Sequence, residues 1–244
     1  MKSMLSISIA ILLMASCKKS NNDLPVPPKV DIPKVKTFEI SNTSGVINSV
    51  TIEYDNAGRY SKGVYKDGHS MKYTYTTNTV TAESFTSGGV SESKVTYVLN
   101  GDGLAIKYYY NAYPDVITHY TYNSAKKLLS EIIENNDDTT YRVYHTYDAA
   151  GNLVADSTIN GSILTKTKTD YYTDKISTTE NPNSGINYFG LPNTNCVKQS
   201  SIKISSSTYI HSEFDVPETD TKGRITKSVY KSQGQTYTRL YTYY

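Results

Sequence analysis

The sequence contains no tryptophan and only four phenylalanines among its 244 residues, and hydrophobic residues make up only 37% of it. A conventional core of leucine and isoleucine would therefore be thin. Tyrosine, in contrast, occurs 24 times, and together with threonine it suits the pleated, half-buried surface of a β-sheet. The composition favours strands over helices, with Tyr rings supplying buried surface while their hydroxyls stay bonded or solvated.

A long apolar run is also missing. The run Met4–Met14 follows Lys2 and is too short to span a bilayer as a helix. It is typical of the hydrophobic region of a signal peptide. It ends in Leu-Met-Ala-Ser-Cys at residues 13–17, which resembles the bacterial lipobox. This resemblance implies a signal peptide over residues 1–16 and a lipidated Cys17; the alternative is an ordinary signal peptide cut near Ser16.

Cysteine is scarce as well. If Cys17 carries lipid, Cys196 is the only remaining thiol, so no intrachain disulfide is predicted and a structural role for Cys196 is favoured. The segment after Cys17 holds four of the eight prolines, which indicates a flexible linker over residues 17–36. Lys18, rather than Asp, follows the cysteine, so we expect an outer-membrane lipid anchor, on an undetermined face of that membrane.

Neither sign of charge is in excess, because 25 basic residues face 23 acidic ones. The chain therefore lacks the electrostatic signature of a nucleic-acid-binding protein. It also lacks a nucleophile elbow, a phosphate loop and a dinucleotide fingerprint. No catalytic residue, cofactor or metal site is predicted, and we expect a protein that is not an enzyme.

The four histidines lack partners at metal-ligand spacing. His119 and His145 lie four and three residues before a repeated turn, so their opposite parity predicts opposite faces of a sheet. His69 and His211 lie near turns without a companion carboxylate at metal-ligand spacing. No pair of acids is predicted to converge on one cleft, which a glycoside hydrolase would require.

One short stretch recurs along the chain. Tyr-Asp-Ala-Ala-Gly at residues 147–151 reads as the end of a strand followed by a tight turn, in which Asp caps and Gly supplies a positive φ. We call such turns anchor turns; they centre on Asp55, Asn100, Asn123, Asp148 and Asp220. Their gaps of 45, 23, 25 and 72 residues are multiples of about 24, one hairpin per repeat.

The missing repeats fall where weaker turns can be read, at residues 75–78 and 172–175. Alternation places Tyr73 and Tyr75 on one face with Met71, and Tyr97 on one face with Leu99. Residues 125–133 have helix-like spacing, but their position after an anchor turn predicts a strand. The fold class predicted is all-β: an antiparallel meander of about 14 to 16 strands over residues 37–244, curled into a barrel or near-barrel.

The anchor turns resemble the YD repeats of Rhs-type proteins, best at residues 54–59 and 147–152. The plan as a whole is similar to a family of bacterial lipoproteins of unknown function described as porin-like in fold, and residues 188–195 are similar to a segment of that family. The resemblance implies a barrel and no catalytic residues. A membrane pore is not expected, because Thr118, His145 and Arg239 interrupt the Tyr-rich face.

The functional prediction is a lipid-anchored envelope protein that binds a glycan or protein partner without catalysis. Aromatic faces suit recognition surfaces. The candidate ligand-binding residues are Tyr108, Tyr109, Tyr110, Tyr113, Tyr188 and Phe189. The last two lie in a long loop, residues 181–195, which we expect to pack over an end of the sheet or into a lumen. The alternatives are a structural scaffold without ligand, in which the Tyr triplet is cross-strand packing, and a carbohydrate-active enzyme.

Overall fold

The computed structural model describes residues 33–135 and 138–244. The predicted signal peptide, Cys17 and most of the linker lie outside these residues. The described chain is almost entirely β-strand. Its strands are β1 (Val35–Asn42), β2 (Gly45–Tyr54), β3 (Tyr60–Tyr65), β4 (Ser70–Tyr75), β5 (Thr79–Phe85), β6 (Ser91–Leu99), β7 (Ala105–Tyr110), β8 (Tyr113–Tyr122), β9 (Leu128–Asn135), β10 (Asp138–Tyr147), β11 (Leu153–Asn160), β12 (Ile163–Ile176), β13 (Asn195–Ile204), β14 (Ile210–Phe214), β15 (Glu218–Thr219), β16 (Ile225–Ser232) and β17 (Gln235–Tyr243).

The helical content of the described residues is a single 3-10 turn, Asn181–Ser184. No helix in the described part of the chain is long and apolar enough to cross a membrane.

The strands form one closed antiparallel barrel. Each strand from β1 to β13 pairs with the next in the chain, β14 pairs with β16, and β16 pairs with β17. The pairing of β1 with β17 closes the ring. The short β15 lies beyond the end of β14 on the same edge of β16, so the 17 strands make a barrel of 16 positions. Closure removes the exposed sheet edges. The predicted all-β meander curled into a barrel is confirmed, and β1 begins at Val35, two residues before the predicted start of the domain.

The inner face of the barrel carries the aromatic side chains. Val80 lies opposite Tyr75 and Tyr97 on the neighbouring strands, and all three side chains belong to one apolar cluster. A second cluster gathers around Ile52 and Tyr60. Because alternate residues of a strand face opposite sides, these contacts fix the inward register, which confirms the predicted faces of β4 and β6.

The outer face is polar on the same strands. Lys62 lies opposite Lys72, Lys72 opposite Glu83, and Glu83 opposite Lys94, so a row of charged side chains crosses β3 to β6. The surface that a barrel presents to lipid is an unbroken apolar band. This part of the outer wall lacks such a band.

The anchor turns share one hydrogen-bond pattern. At the first, the Asp55 carboxylate accepts from the amides of Ala57, at 3.0 Å, and Arg59, at 2.9 Å, and Gly58 has a φ of +73°. The other Asx residues accept from the amide four residues later in the same way, at Asn100, Asn123, Asp148 and Asp220.

The third anchor turn forms without glycine, because Lys126 adopts a φ of 57°. The turn predicted over residues 75–78 forms, and the predicted strand after Asn123 is confirmed as β9. The turn predicted over residues 172–175 is wrong, because β12 continues to Ile176. There β12 bulges out of the regular ladder, because Tyr171 pairs with Val197 and Ile176 pairs with Asn195. The Asn195 side-chain amide donates to the carbonyls of Thr173, at 3.5 Å, and Lys175, at 3.4 Å, within this bulge.

Tyrosines just before the anchor-turn end of the barrel tie neighbouring strands together. Each tyrosine lies at the end of one strand, or in β12 at the last regularly paired position before a bulge. Its hydroxyl donates to a carbonyl at the start of the strand beside it, so it closes the open end of a hairpin. We call these bonds tyrosine staples. They run from Tyr54 to Val35 (2.5 Å), Tyr75 to Tyr60 (2.7 Å), Tyr122 to Ala105 (2.8 Å), Tyr147 to Leu128 (2.9 Å), Tyr171 to Leu153 (2.8 Å) and Tyr243 to Ile225 (2.8 Å).

Removing one staple tests this role. Tyr147→Phe deletes the hydroxyl that reaches the Leu128 carbonyl and should lower the free energy of unfolding by about 1 to 2 kcal/mol. Tyr144→Phe is the matched control, since Tyr144 lies on the same strand with an exposed ring. Urea unfolding followed by circular dichroism measures both, and equal stability of the two variants would contradict the staple.

The fourth anchor turn gives a second test. Asp148→Ala removes the acceptor for the Asn152 amide, 2.8 Å away, and should cost about 1 kcal/mol. Asp148→Asn should be close to neutral at pH 7, because Asn100 and Asn123 cap equivalent turns. Thermal melts of the three proteins compare them.

The same turn predicts a pH effect. The hydrogen bond from the Asn152 amide lowers the pKa of the Asp148 carboxyl below its usual 3.8. Partial burial raises this pKa, but by less. A lowered folded-state pKa means stability that is present above pH 3.8 and lost as the pH falls further. Asp148→Asn should show a smaller loss of melting temperature below this pH than the unchanged protein.

Candidate binding cleft beside the lumen plug

The segment between β12 and β13, residues 177–194, crosses the inside of the barrel, and we call it the plug. Its Tyr188 and Phe189 rings pack on the inward-facing Tyr97, with 5.1 and 5.4 Å between ring centroids, so the segment lies inside the barrel. It also bonds to strands and turns all around the ring. These bonds join Thr178 to Ile225, Gly185 to Tyr60, Tyr188 to Ala105, Leu191 to Lys126 and Asn193 to Leu153. The long loop expected to pack over an end or into a lumen therefore does the latter, at the anchor-turn end.

Two glycines allow the plug to approach the wall closely. A Cβ on Gly190, whose φ is +83°, would meet the carbonyl oxygen of Lys126 at 2.3 Å. A Cβ on Gly185, whose φ is +76°, would meet the amide nitrogen of Tyr60 at 2.5 Å. Any other residue at either position would push the plug away from the wall.

A buried lysine fastens the later part of the plug. Lys127 donates from Nζ to the carbonyl of Gly151, at 2.7 Å, and to that of Pro192 in the plug. Burial lowers the pKa of Lys127, and the nearby acids Glu180 and Asp148 oppose that change. Asn152 adds bonds to the amide of Thr194 at the end of the plug. The plug is thus fixed to two neighbouring anchor turns.

A cleft of about 340 Å³ lies between the plug and strands β8 to β11. Aromatic and aliphatic side chains make up much of its wall, with a few ionisable groups among them. The lining residues are Tyr120, Leu128, Glu131, His145, Tyr147, Leu153, Glu180, Phe189, Gly190, Leu191, Pro192 and Asn193.

Glu131 and His145 form a pair inside the cleft. The Nε2 atom of His145 lies 3.3 Å from Oε1 of Glu131, and the His145 side chain is only 10% exposed. Its Nδ1 atom is buried without a hydrogen-bond partner among the described residues. Burial, followed by the field of Glu131, raises the pKa of Tyr147 and Tyr120 in the same wall.

Glu180 enters the cleft from the plug. Burial raises the pKa of its carboxyl, and hydrogen bonds from Ser177 and Asn193 together with the charge of Lys127 oppose the rise. Glu180 and Glu131 therefore line the same cleft, from the plug and from β9. The sequence did not bring these two acids into one site, because β9 and the plug meet only in the closed barrel.

A row of aromatic rings in edge-to-face and stacked contact leads out of the cleft along β6 and β7. Phe189 of the plug lies 5.4 Å from Tyr97 between ring centroids, Tyr97 lies 5.1 Å from Tyr108, and Tyr108 lies 5.4 Å from Tyr110. We call these four residues the aromatic ladder. It runs along the inner wall from the plug toward the far end of the barrel, where Tyr110 is 42% exposed.

The predicted ligand-binding residues separate into different places. Tyr108, Tyr110 and Phe189 belong to the aromatic ladder. Tyr109 faces outward, with the Lys107 ammonium 5.7 Å from its ring centroid, and Tyr113, 67% exposed, lies opposite Tyr110 in the hairpin. Tyr188 is 4% exposed, so its ring packs in the core and only its neighbour Phe189 lines the cleft.

The sequence did not predict that Glu131, His145 and Glu180 line one cleft. The parity of the two histidines was predicted correctly, since His119 pairs on the outer face with Glu134 while His145 lines the cleft. Parity alone could not show that His145 faces Glu131, which depends on the β9–β10 register. No group of three or more His, Cys, Asp or Glu residues in the described chain is arranged to hold a metal ion.

Comparison with known proteins supports the architecture. No family model matches the chain, and no curated protein matches it. The barrel is similar to the crystal structure of a porin-like protein from Bacteroides uniformis, with a TM-score of 0.63 and 16% identity over 86% of this chain and 98% of that chain. At this identity the likeness shows the fold alone, and it agrees with the porin-like fold implied by the resemblance.

A second solved structure is much less similar. The crystal structure of TcdB2-TccC3-TEV shares 15% identity with a TM-score of 0.35, over 78% of this chain and 12% of that chain. A score this low does not show a shared fold.

The seating of the plug can be tested at Gly190. Gly190→Ala should displace the plug and lower its protection from hydrogen exchange on the order of tenfold or more, while the strands stay protected. Gly161→Ala is the control, because Gly161 also has a positive φ of +55° but open space around it. Unchanged exchange of the plug in Gly190→Ala would contradict the close approach.

Proposed function

We propose that this protein is a lipid-anchored envelope barrel that binds a glycan inside its lumen, along the aromatic ladder and in the cleft beside the plug. The observation that carries the proposal is the ladder itself, a continuous row of ring contacts from Phe189 to the exposed Tyr110. No nucleic-acid partner and no cofactor are proposed.

The cleft has the properties of a small-molecule site. Its volume of about 340 Å³ falls within the usual range for ligand pockets, and such pockets combine apolar walls with a few placed polar groups. Sugars present apolar ring faces and hydroxyl edges. Tyr and Phe rings can stack on the apolar faces, while carboxylate, imidazole and amide groups can form hydrogen bonds with the hydroxyls.

The outer wall supports a barrel that stands in water and is held to the membrane by its tether. Charged residues cross the outside of β3 to β6, where lipid contact would be costly. Val35 pairs with Tyr243 at the anchor-turn end, so the linker from Cys17 joins the barrel at the plugged end. The ladder leads to the opposite end of the barrel.

Binding without catalysis is favoured over hydrolysis. Glu131 and Glu180 both line the cleft, which is the observation that keeps a carbohydrate-active enzyme as the second candidate. The Glu180 carboxylate, however, already accepts hydrogen bonds from Ser177 and Asn193. A general acid must instead donate a proton to its substrate.

The proposal predicts that oligosaccharides bind along the aromatic ladder. Tyr110→Ala should weaken binding by about tenfold, because a lost ring contact is worth about 1.4 kcal/mol. Tyr109→Ala is the matched control, since the adjacent ring faces outward. Isothermal titration calorimetry over a panel of neutral, acidic and amine-bearing oligosaccharides measures both.

Two results would contradict the proposed glycan binding without catalysis. If no sugar on the panel binds, and native mass spectrometry of the protein from its source cells shows a retained protein partner instead, the glycan proposal fails. Release of reducing ends from a bound oligosaccharide, abolished in Glu180→Gln, would establish the enzyme in place of the binding protein.

A further inference from the structure

The ionisable groups that line the cleft are hydrogen-bond acceptors. Glu131 and Glu180 present carboxylates, and no lysine or arginine appears among the lining residues. The nearest ammonium, that of Lys127, is directed to the carbonyls of Gly151 and Pro192. A ligand in this cleft therefore meets carboxylate charge that no cationic side chain of the lining neutralises.

His145 adds a further acceptor. A carboxylate can only accept, so when the imidazole is neutral its hydrogen lies on Nε2, toward Glu131. Nδ1 is then a lone-pair site, and it has no partner among the described residues although the side chain is nine-tenths buried. Buried polar atoms are normally hydrogen-bonded, so this atom points to a donor that completes the site.

The aromatic walls favour the same kind of ligand. The rings of Tyr120, Tyr147 and Phe189 line the cleft together with Glu131. The faces of aromatic rings carry negative charge density and attract cations within about 6 Å. Carboxylates, an acceptor imidazole and ring faces are together complementary to an ammonium group.

We propose that the sugar bound in this cleft carries a free, protonated amine, as in oligomers of glucosamine. Its ammonium group lies against Glu131, and its ring stacks on Phe189 at the start of the aromatic ladder. This inference rests on the proposed glycan binding and names the chemical class of the ligand. A neutral acetamide at the same position would lack both the charge and two of the donors.

The test compares β-1,4-linked glucosamine oligomers with N-acetylglucosamine oligomers of the same length, titrated into the purified full-length protein at a pH where the amine is protonated. The amine form should bind more tightly by about 10- to 100-fold, as expected for hydrogen bonds to charged groups. This comparison uses the unchanged protein, so it does not depend on whether any variant folds.

Two matched variants locate the effect. Glu131→Gln removes the charge beside His145 in the cleft and should abolish the preference, because the binding of amine oligomers weakens by a larger factor than the binding of N-acetylated oligomers. Glu134→Gln removes the charge of the corresponding outer pair, where His119 also lies 3.3 Å from a glutamate, and should leave the preference unchanged.

Each other outcome decides against the inference in a distinct way. Equal binding of amine and acetamide oligomers overturns the amine specificity but leaves glycan binding intact. Failure of every sugar overturns both. Binding of a lysine-containing peptide that depends on Glu131, with no sugar bound, assigns the cleft to a protein partner and overturns the inference.

Discussion

The barrel depends on the bond between a tyrosine hydroxyl and the first carbonyl of the neighbouring strand. A hairpin is covalently closed at one end only, and its open end tends to fray because ladder hydrogen bonds stop there. The staple at Tyr147 reaches Leu128 across such an open end, and Tyr54 reaches Val35 in the same way. Anchor turns join one hairpin to the next at this same end. Staples and turns together therefore tie neighbouring strands to each other around much of this rim.

This arrangement explains how a chain poor in aliphatic residues holds its shape. A barrel with about 16 strands is too wide for side chains to fill. The two apolar clusters, around Ile52 and around Val80, both lie at the stapled end. There the rings crowd inward, and burial raises the pKa of tyrosines such as Tyr75, to about 12, so the hydroxyls remain protonated donors. The plug fills the space that the rings leave.

Much of the fold could be predicted because its determinants are local. The anchor turns repeat at a regular period, and alternation gives the faces of β4 and β6, so the meander followed from the sequence. Lys126 could not be predicted to replace glycine, since a positive φ in lysine is held by the surrounding turn. The bulge of β12 after Tyr171 could not be predicted either, since its carbonyls accept hydrogen bonds from Asn195, which belongs to another strand.

The cleft could not be predicted because it is a consequence of asymmetry in the plug. On one side the plug meets the wall through apolar packing of Ile186 and Tyr188 against the clusters, which leaves little space. On the other side it is held by the polar bonds of Lys127 and Asn152, which fix its backbone without filling the volume beside it. The space left over lies where Glu131 and His145 face inward. A packed contact on one side and a hydrogen-bonded contact on the other thus place an open, acceptor-lined cleft on the hydrogen-bonded side of the plug.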